Sequence, residues 1–300
     1  MDLIPRPDLI LVPLLGVLLV LLLGACTGSP AAPHARRSTQ PARTATYAAL
    51  GDSYTAAPFV PITDLAHGCF RSDHNYPALL ARALDAHLRD VSCSGATTGD
   101  VLQRQVLAYG GVRERLRPQL DAVRRGTDLV TVGLGGNDGN LFGTLVQGCV
   151  APPPGAAGSC DAGPAGALGG TSGTIAATGH AVARVLRAVH HAAPGARVVL
   201  VGYPRLVNPA QECRTLPLTA AARHGLARLE GQLDRALSGA ARRTGSAFLD
   251  LRGLSRGHEI CSAHPWVNGS VTDAQRAAAF HPFAVEQQAV AVALQADLER

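Results

Sequence analysis

Two stretches of this chain, Asp128–Leu134 (DLVTVGL) and Arg197–Val201 (RVVLV), are apolar without alternation, rich in β-branched residues, and followed by glycine. A strand apolar at every position must be covered on both faces, which is the situation of a strand inside a parallel sheet. Between them, Thr174–His191 carries Ile175, Val182, Val185, Leu186 and Val189 at helical spacing, and Pro194-Gly195 stops it. The alternation extends outward. Thr46–Leu50, Asp90–Cys93 and Ala247–Leu251 read as further strands, and Tyr76–Leu88, Val112–Arg125, Thr219–Arg243 and Phe283–Leu298 as helices. The Gly/Ala/Pro-rich stretch Leu141–Gly170 reads as a long loop. Strands that alternate with helices predict an α/β fold with a parallel sheet between two helical layers. Such sheets bind ligands beyond the carboxyl ends of their strands.

The first 43 residues stand apart from this pattern. Arg6 precedes an apolar run, Leu9–Leu23, which Pro13 interrupts. The run is short for a membrane span and reads as a secretory signal over residues 1–25. It ends in Leu23-Gly24-Ala25-Cys26, which resembles a bacterial lipobox and predicts cleavage before Cys26 with lipid on its sulfur. Residues 26–43 then form a lipidated, Pro/Ala/Ser/Arg-rich tether, and residues 44–300 one folded domain. The expected location is extracytoplasmic, at the cell surface or beyond it, with membrane attachment through Cys26. The domain is expected to be a monomer.

Every basic residue is arginine, and the formal net charge is +5 without a basic run carrying interleaved aromatics. Nucleic-acid binding is therefore not expected. Of the seven cysteines, six remain after Cys26: Cys69, Cys93, Cys149, Cys160, Cys213 and Cys261. An oxidising compartment favours disulfides, and fifteen pairings are open. There is no CxxC and no Cys/His set at zinc spacing, so no metal site is expected, nor does any motif imply an organic cofactor.

Three polar segments fall at the expected rim. Gly51-Asp52-Ser53 follows the first strand, Ser94-Gly95-Ala96 the second, and Gly135-Gly136-Asn137-Asp138 the third. Ser53 can serve as a nucleophile once a base accepts its proton. The Asn137 carboxamide and the backbone N–H groups of Ser53 and Gly95 can donate to an oxygen that becomes negative during acyl transfer. Glycine at 95 would let the backbone come close. His281, followed by Pro282 and the last helix, is the candidate base. His264, also followed by proline, lies in a loop with no helix to fix it and ranks below.

This set resembles the SGNH (GDSL) hydrolase superfamily, whose four blocks appear as Gly51-Asp52-Ser53, Gly95, Gly136-Asn137-Asp138 and His281. The resemblance runs over essentially the whole mature domain, and it is especially close to secreted three-disulfide actinobacterial esterases and lipases. It implies a three-layer, flavodoxin-like fold with a five-stranded parallel sheet. It also implies serine ester hydrolysis, with Ser53 as nucleophile, His281 as base, and an oxyanion hole of Ser53, Gly95 and Asn137. The implied disulfides are Cys69–Cys93, Cys149–Cys160 and Cys213–Cys261. The substrate would be an acyl lipid or small ester. One position departs from the pattern: Ala278 stands where the family usually has an aspartate, three residues before the histidine. The expectation is a Ser–His dyad whose histidine is oriented by a main-chain carbonyl, near Trp266 or from Ala279.

Other readings fare worse. Gly253–Gly257 (GLSRG) fits the GxSxG elbow, but no apolar helix follows it, so it reads as a turn. Gly133-Leu134-Gly135 begins like a dinucleotide loop, but Asp138 occupies the place of the third glycine. Two alternatives on the same fold are an inactive binding lipoprotein, favoured by the loss at Ala278, and a carbohydrate O-acetyl esterase.

Overall fold

The computed structural model describes residues 44–109, 112–145 and 170–300. The expected signal peptide, Cys26, the tether and the Cys149–Cys160 pair all fall outside the described residues. In chain order the elements are β1 (Thr46–Gly51), α1 (Ser53–Ala56), α2 (Tyr76–Ala83), β2 (His87–Asp90), α3 (Thr98–Leu102), β3 (Val106–Tyr109), β4 (Val112–Arg115), β5 (Leu129–Gly133), α4 (Leu141–Leu145), α5 (Thr171–Ala192), β6 (Arg197–Val201), α6 (Ala220–Thr244), β7 (Ala247–Leu249), α7 (Leu251–Leu254) and α8 (Ala284–Leu298).

The main sheet has the order β2-β1-β5-β6-β7, and every pairing in it is parallel. Helices flank it in a three-layer α/β/α arrangement, α2 packed on α8 and α5 on α6. The two continuous apolar runs are the adjacent central strands β5 and β6, and all five residues of β5 are buried. The chain leaves β1 toward one sheet edge through β2 and returns to its other side through β5. The carboxyl ends of β1 and β5 therefore form the topological switch point.

Local chemistry sets the helix ends. The Asn75 side chain accepts from the Ala78 N–H at 3.0 Å and opens α2. Thr219 does the same for α6 through the Ala222 N–H, and Gly245, left-handed at φ +69°, ends it. Leu226, Leu229, Leu233 and Leu237, at three- and four-residue spacing on α6, are all buried.

Several expected elements differ. The predicted Tyr76–Leu88 helix stops at Ala83, because Asp85 turns left-handed and Leu88 is drawn into β2 opposite Tyr47. The second strand accordingly lies earlier than the predicted Asp90–Cys93. The predicted Val112–Arg125 helix does not form. Its first part is β4, antiparallel to β3, and its second a 3-10 turn at Gln119–Ala122, because Pro118 bars helix continuation. The predicted loop Leu141–Gly170 begins with α4, and the predicted strand Ala247–Leu251 ends at Leu249, with α7 following.

Cys69 is bonded to Cys93 and Cys213 to Cys261. They close segments of 24 and 48 residues, each stabilising by about 3–4 kcal/mol through denatured-state loop closure. The first bond fixes the turn at Gly95, since the Ser94 N–H donates to the Cys69 carbonyl at 3.1 Å.

Three carboxyls drawn into the fold, Asp52, Glu230 and Glu286, give it an unusual pH response. Burial raises Asp52 to about 7 and both Glu230 and Glu286 to about 8. A carboxyl whose folded value lies above its unfolded value binds more protons in the native state between the two. Its stabilising effect is full below the unfolded value and is lost as pH rises toward the folded one. The window here runs from about 4 to 8, with a slope of at most roughly 1.4 kcal/mol per pH unit for each group. His281, lowered by burial, opposes this as a single group. The melting temperature should therefore fall between pH 5 and pH 8, and Glu286→Gln should flatten the fall. A melting temperature that rises across this range would contradict it.

Candidate functional site

The nucleophile turn grows directly from β1. Asp52 caps α1 by accepting from the Tyr54 N–H at 2.9 Å, which sets Ser53 at the first helical position. As the first residue of the helix, Ser53 has a backbone N–H with no intrahelical acceptor. Thr55 packs across the strand ends so tightly that a Cβ on Gly51 would lie 2.1 Å, and one on Gly133 2.4 Å, from its hydroxyl.

His281 reaches Ser53 from the far end of the sequence. Its Nε2 lies 2.8 Å from Ser53 Oγ, and its Nδ1 lies 2.7 Å from the Ala279 carbonyl. A carbonyl only accepts, so Nδ1 carries the hydrogen and Nε2 presents a lone pair to the serine hydroxyl. The carbonyl is that of Ala279, while the Trp266 carbonyl accepts from the Phe283 N–H. Asp273 is not a substitute for the missing aspartate. Its carboxylate accepts from Gln275 within its own turn. Burial lowers the His281 pKa below 6.5, opposed by the bond to Ala279, so the ring is neutral at pH 7.

The segment carrying His281 is pinned by residues that sequence reasoning missed. Asn268 Nδ2 donates to the Ala277 and Ala278 carbonyls at 2.9 and 3.1 Å, while the Asn268 N–H donates to the His281 carbonyl at 2.9 Å. The Tyr54 hydroxyl donates to the Phe280 carbonyl at 2.6 Å, and its ring lies against the imidazole at 5.3 Å between centroids. Asn268 had no signal in the sequence, because its partners are main-chain atoms. Tyr54 could have been found from its place beside the nucleophile.

The other two turns converge on the same rim. Asn137 Nδ2 donates one hydrogen to the Ala96 carbonyl at 3.0 Å. Asp138 accepts from the Thr98 N–H and hydroxyl at 2.9 and 2.6 Å, which locks this turn to the start of α3. Gly95 is the third residue of a turn closed by the Ala96 N–H on the Cys93 carbonyl, and its φ is +76°. Space is not what demands glycine there: a Cβ would meet nothing within 4 Å. Among protein atoms it is the backbone angle that favours glycine here. Gly136 is the crowded one, since a Cβ would lie 2.1 Å from the Phe142 ring.

A fourth strand also contributes. Tyr203, just beyond β6, donates its hydroxyl to Asp52 and accepts from the Gly136 N–H at 2.8 Å. Its position follows the same rim rule that flagged Ser53 and Asn137, so the sequence held the signal.

An apolar cavity of about 430 Å³ opens beside the imidazole, lined among others by Tyr54, Phe142, Leu216, Leu226, Ile260 and His281. A second cleft of about 500 Å³ runs elsewhere, past the charged Arg71, Arg89, Glu114 and Arg117, and offers no nucleophile. Ser255 of the GxSxG segment is buried, and its hydroxyl accepts from the Arg205 N–H at 2.8 Å. His264 is exposed, with its carbonyl engaged by His258.

Residues 49–285 match the model of the GDSL-like lipase/acylhydrolase family. The chain belongs to that family. It is 36% identical over 236 residues to Lipase 2 of Streptomyces coelicolor, covering 72% of this chain and 73% of the relative. Among solved structures, it superposes on an extracellular lipase of Streptomyces rimosus with a TM-score of 0.66, and on phospholipase A1 of Streptomyces albidoflavus with 0.68. Each of these is 28% identical, and each match covers 84% of this chain and 99% of the other. The four motif blocks therefore pointed to the right family, and the chain is a carboxylic ester hydrolase of the GDSL-like type.

Proposed function

We propose that this GDSL-like hydrolase cleaves acyl esters through an acyl-enzyme on Ser53, with a Ser–His dyad in place of a triad. The observation that carries this is the bond of 2.8 Å between Ser53 Oγ and a His281 whose other nitrogen is fixed on a carbonyl. Neutral Nε2 takes the hydroxyl proton as Oγ attacks the acyl carbon. The carbonyl oxygen becomes an oxyanion, met by the Ser53 and Gly95 N–H groups and by the Asn137 carboxamide. Nε2–H then protonates the leaving alcohol. Water, deprotonated by the same nitrogen, releases the acid and frees Ser53. The Ala279 carbonyl fixes the tautomer and faces the imidazolium with a dipole where a triad would place a charge.

The cavity beside His281 supports acyl chains as substrate, rather than acetylated sugars, because aliphatic and aromatic side chains dominate its lining. The two disulfides and the Cys26 lipobox support an extracytoplasmic, lipid-anchored enzyme. A p-nitrophenyl ester series from acetate to palmitate tests the substrate class. The kcat/KM should rise from acetate toward longer chains, and an optimum at acetate would refute the acyl reading. A fluorophosphonate should label Ser53 in the folded protein. Absence of labelling would favour the inactive binding module.

A further inference from the structure

We propose that Tyr203 is a positioning residue that holds the Asn137 turn in register with Ser53. This rests on the proposed function above. The three oxyanion donors lie on three separate turns, after β1, β2 and β5. Such a set works only if the turns keep their spacing to within about 0.5 Å. The β2 and β5 turns are joined by Asn137 to Ala96 and by Asp138 to Thr98. The β1 and β5 turns share the last ladder bond, from the Asp52 N–H to the Gly133 carbonyl at 2.9 Å. Beyond it, Tyr203 bridges them with one oxygen, donating to Asp52 and accepting from Gly136, the residue before Asn137.

The tyrosine is itself held rigidly. Gly202 packs against β7, where a Cβ would lie 3.1 Å from the Phe248 ring and 3.2 Å from the Leu249 carbonyl. Pro204 restricts the residue on the other side. The phenol ring meets Tyr54 and Phe142 edge-on, each at 5.1 Å between centroids. The turn it steadies begins at Gly135, at φ +126°, and is closed by the Asp138 N–H on the Gly135 carbonyl at 3.2 Å, so the Tyr203 bond at Gly136 adds a tie toward Ser53. Asp52, fully buried, turns one carboxylate oxygen to the nucleophile helix and the other to this phenol. Asp52 is thus the joint between the nucleophile turn and the strut.

Tyr203→Phe keeps the ring and removes the bridge. For p-nitrophenyl butyrate, kcat should fall about 10- to 100-fold with KM within about twofold, since the loss is in transition-state alignment. Combined with Asn137→Ala, the two losses should be far less than multiplicative, because Tyr203 acts through the turn that carries Asn137. Unchanged kcat, an effect confined to KM, or full multiplicativity would overturn the assignment. Asp52→Asn, which leaves one acceptor oxygen for the phenol and the Tyr54 N–H to share, decides the matter should Tyr203→Phe not fold. It should lower kcat without a matching rise in KM, and an Asp52→Asn enzyme with normal kcat would overturn the role. Ser53→Ala separates the two levels. If it keeps turnover, the site reading itself fails. If it is inactive while Tyr203→Phe keeps wild-type kcat, only the positioning role fails.

Discussion

Ser53→Ala is expected to lower p-nitrophenyl ester hydrolysis by at least about 10⁴-fold, leaving only what binding and the oxyanion donors supply without a nucleophile. The substitution removes one oxygen from a site whose neighbours stay in place. Tyr54 remains bonded to Phe280, and His281 to Ala279. The fold should therefore keep its melting temperature, and the loss should lie in kcat. His281→Ala should cost a similar factor, because a serine hydroxyl without a base is a poor nucleophile. The double variant should be no worse than either single one, since the two groups act as one unit through the 2.8 Å contact. Near-wild-type turnover in Ser53→Ala, with single and double variants measured by steady-state kinetics, would remove Ser53 as the nucleophile. The buried Ser255, by contrast, has its hydroxyl engaged by the backbone.

The second large effect is expected at Asn137. Asn137→Ala should lower kcat by about 10²- to 10³-fold while KM changes much less, because the donor matters most when charge has developed on the oxygen. The geometry gives the direction of this effect. One Nδ2 hydrogen is taken by the Ala96 carbonyl, which fixes the carboxamide plane and leaves the other hydrogen for a substrate oxygen. The alanine variant loses both the donor and the tie to the Gly95 turn. A KM rise with unchanged kcat would instead mark Asn137 as a group that binds ground state and transition state alike.

Much of the fold was legible because central parallel strands cannot hide their burial. DLVTVGL and RVVLV could only be interior strands, and the strands of the main sheet were read in the right places or within a few residues of them. The misreading at Val112–Arg125 has a physical reason. In Val-Arg-Glu-Arg-Leu-Arg the two apolar residues, Val112 and Leu116, stand four apart, which suits a helix, and Glu114 breaks the alternation a strand would show. Antiparallel pairing with Val106–Tyr109, only a few residues upstream, drew Val112–Arg115 into a strand instead. The helix over Tyr76–Leu88 failed for a similar reason: Leu88 satisfies helical spacing, but the edge of β1 holds it in a strand.

The candidate site divides in the same way. Ser53, Gly95, Asn137 and His281 could be named from the sequence because turns after strands and short motifs are local properties of the chain. What orients His281 could not, since the Ala279 carbonyl carries no side-chain signature and Asn268 acts only on main-chain atoms. By itself the sequence determined which strands are interior, the rim where chemistry gathers, and the family, because these follow from hydrophobic period and motif. Tertiary structure alone decided that the Ala279 carbonyl faces His281 Nδ1 and that Tyr203 joins two turns. The bonds from Tyr203 to Asp52 and from His281 to Ser53 link residues far apart in the chain, and they exist only once the sheet has brought those turns to one edge.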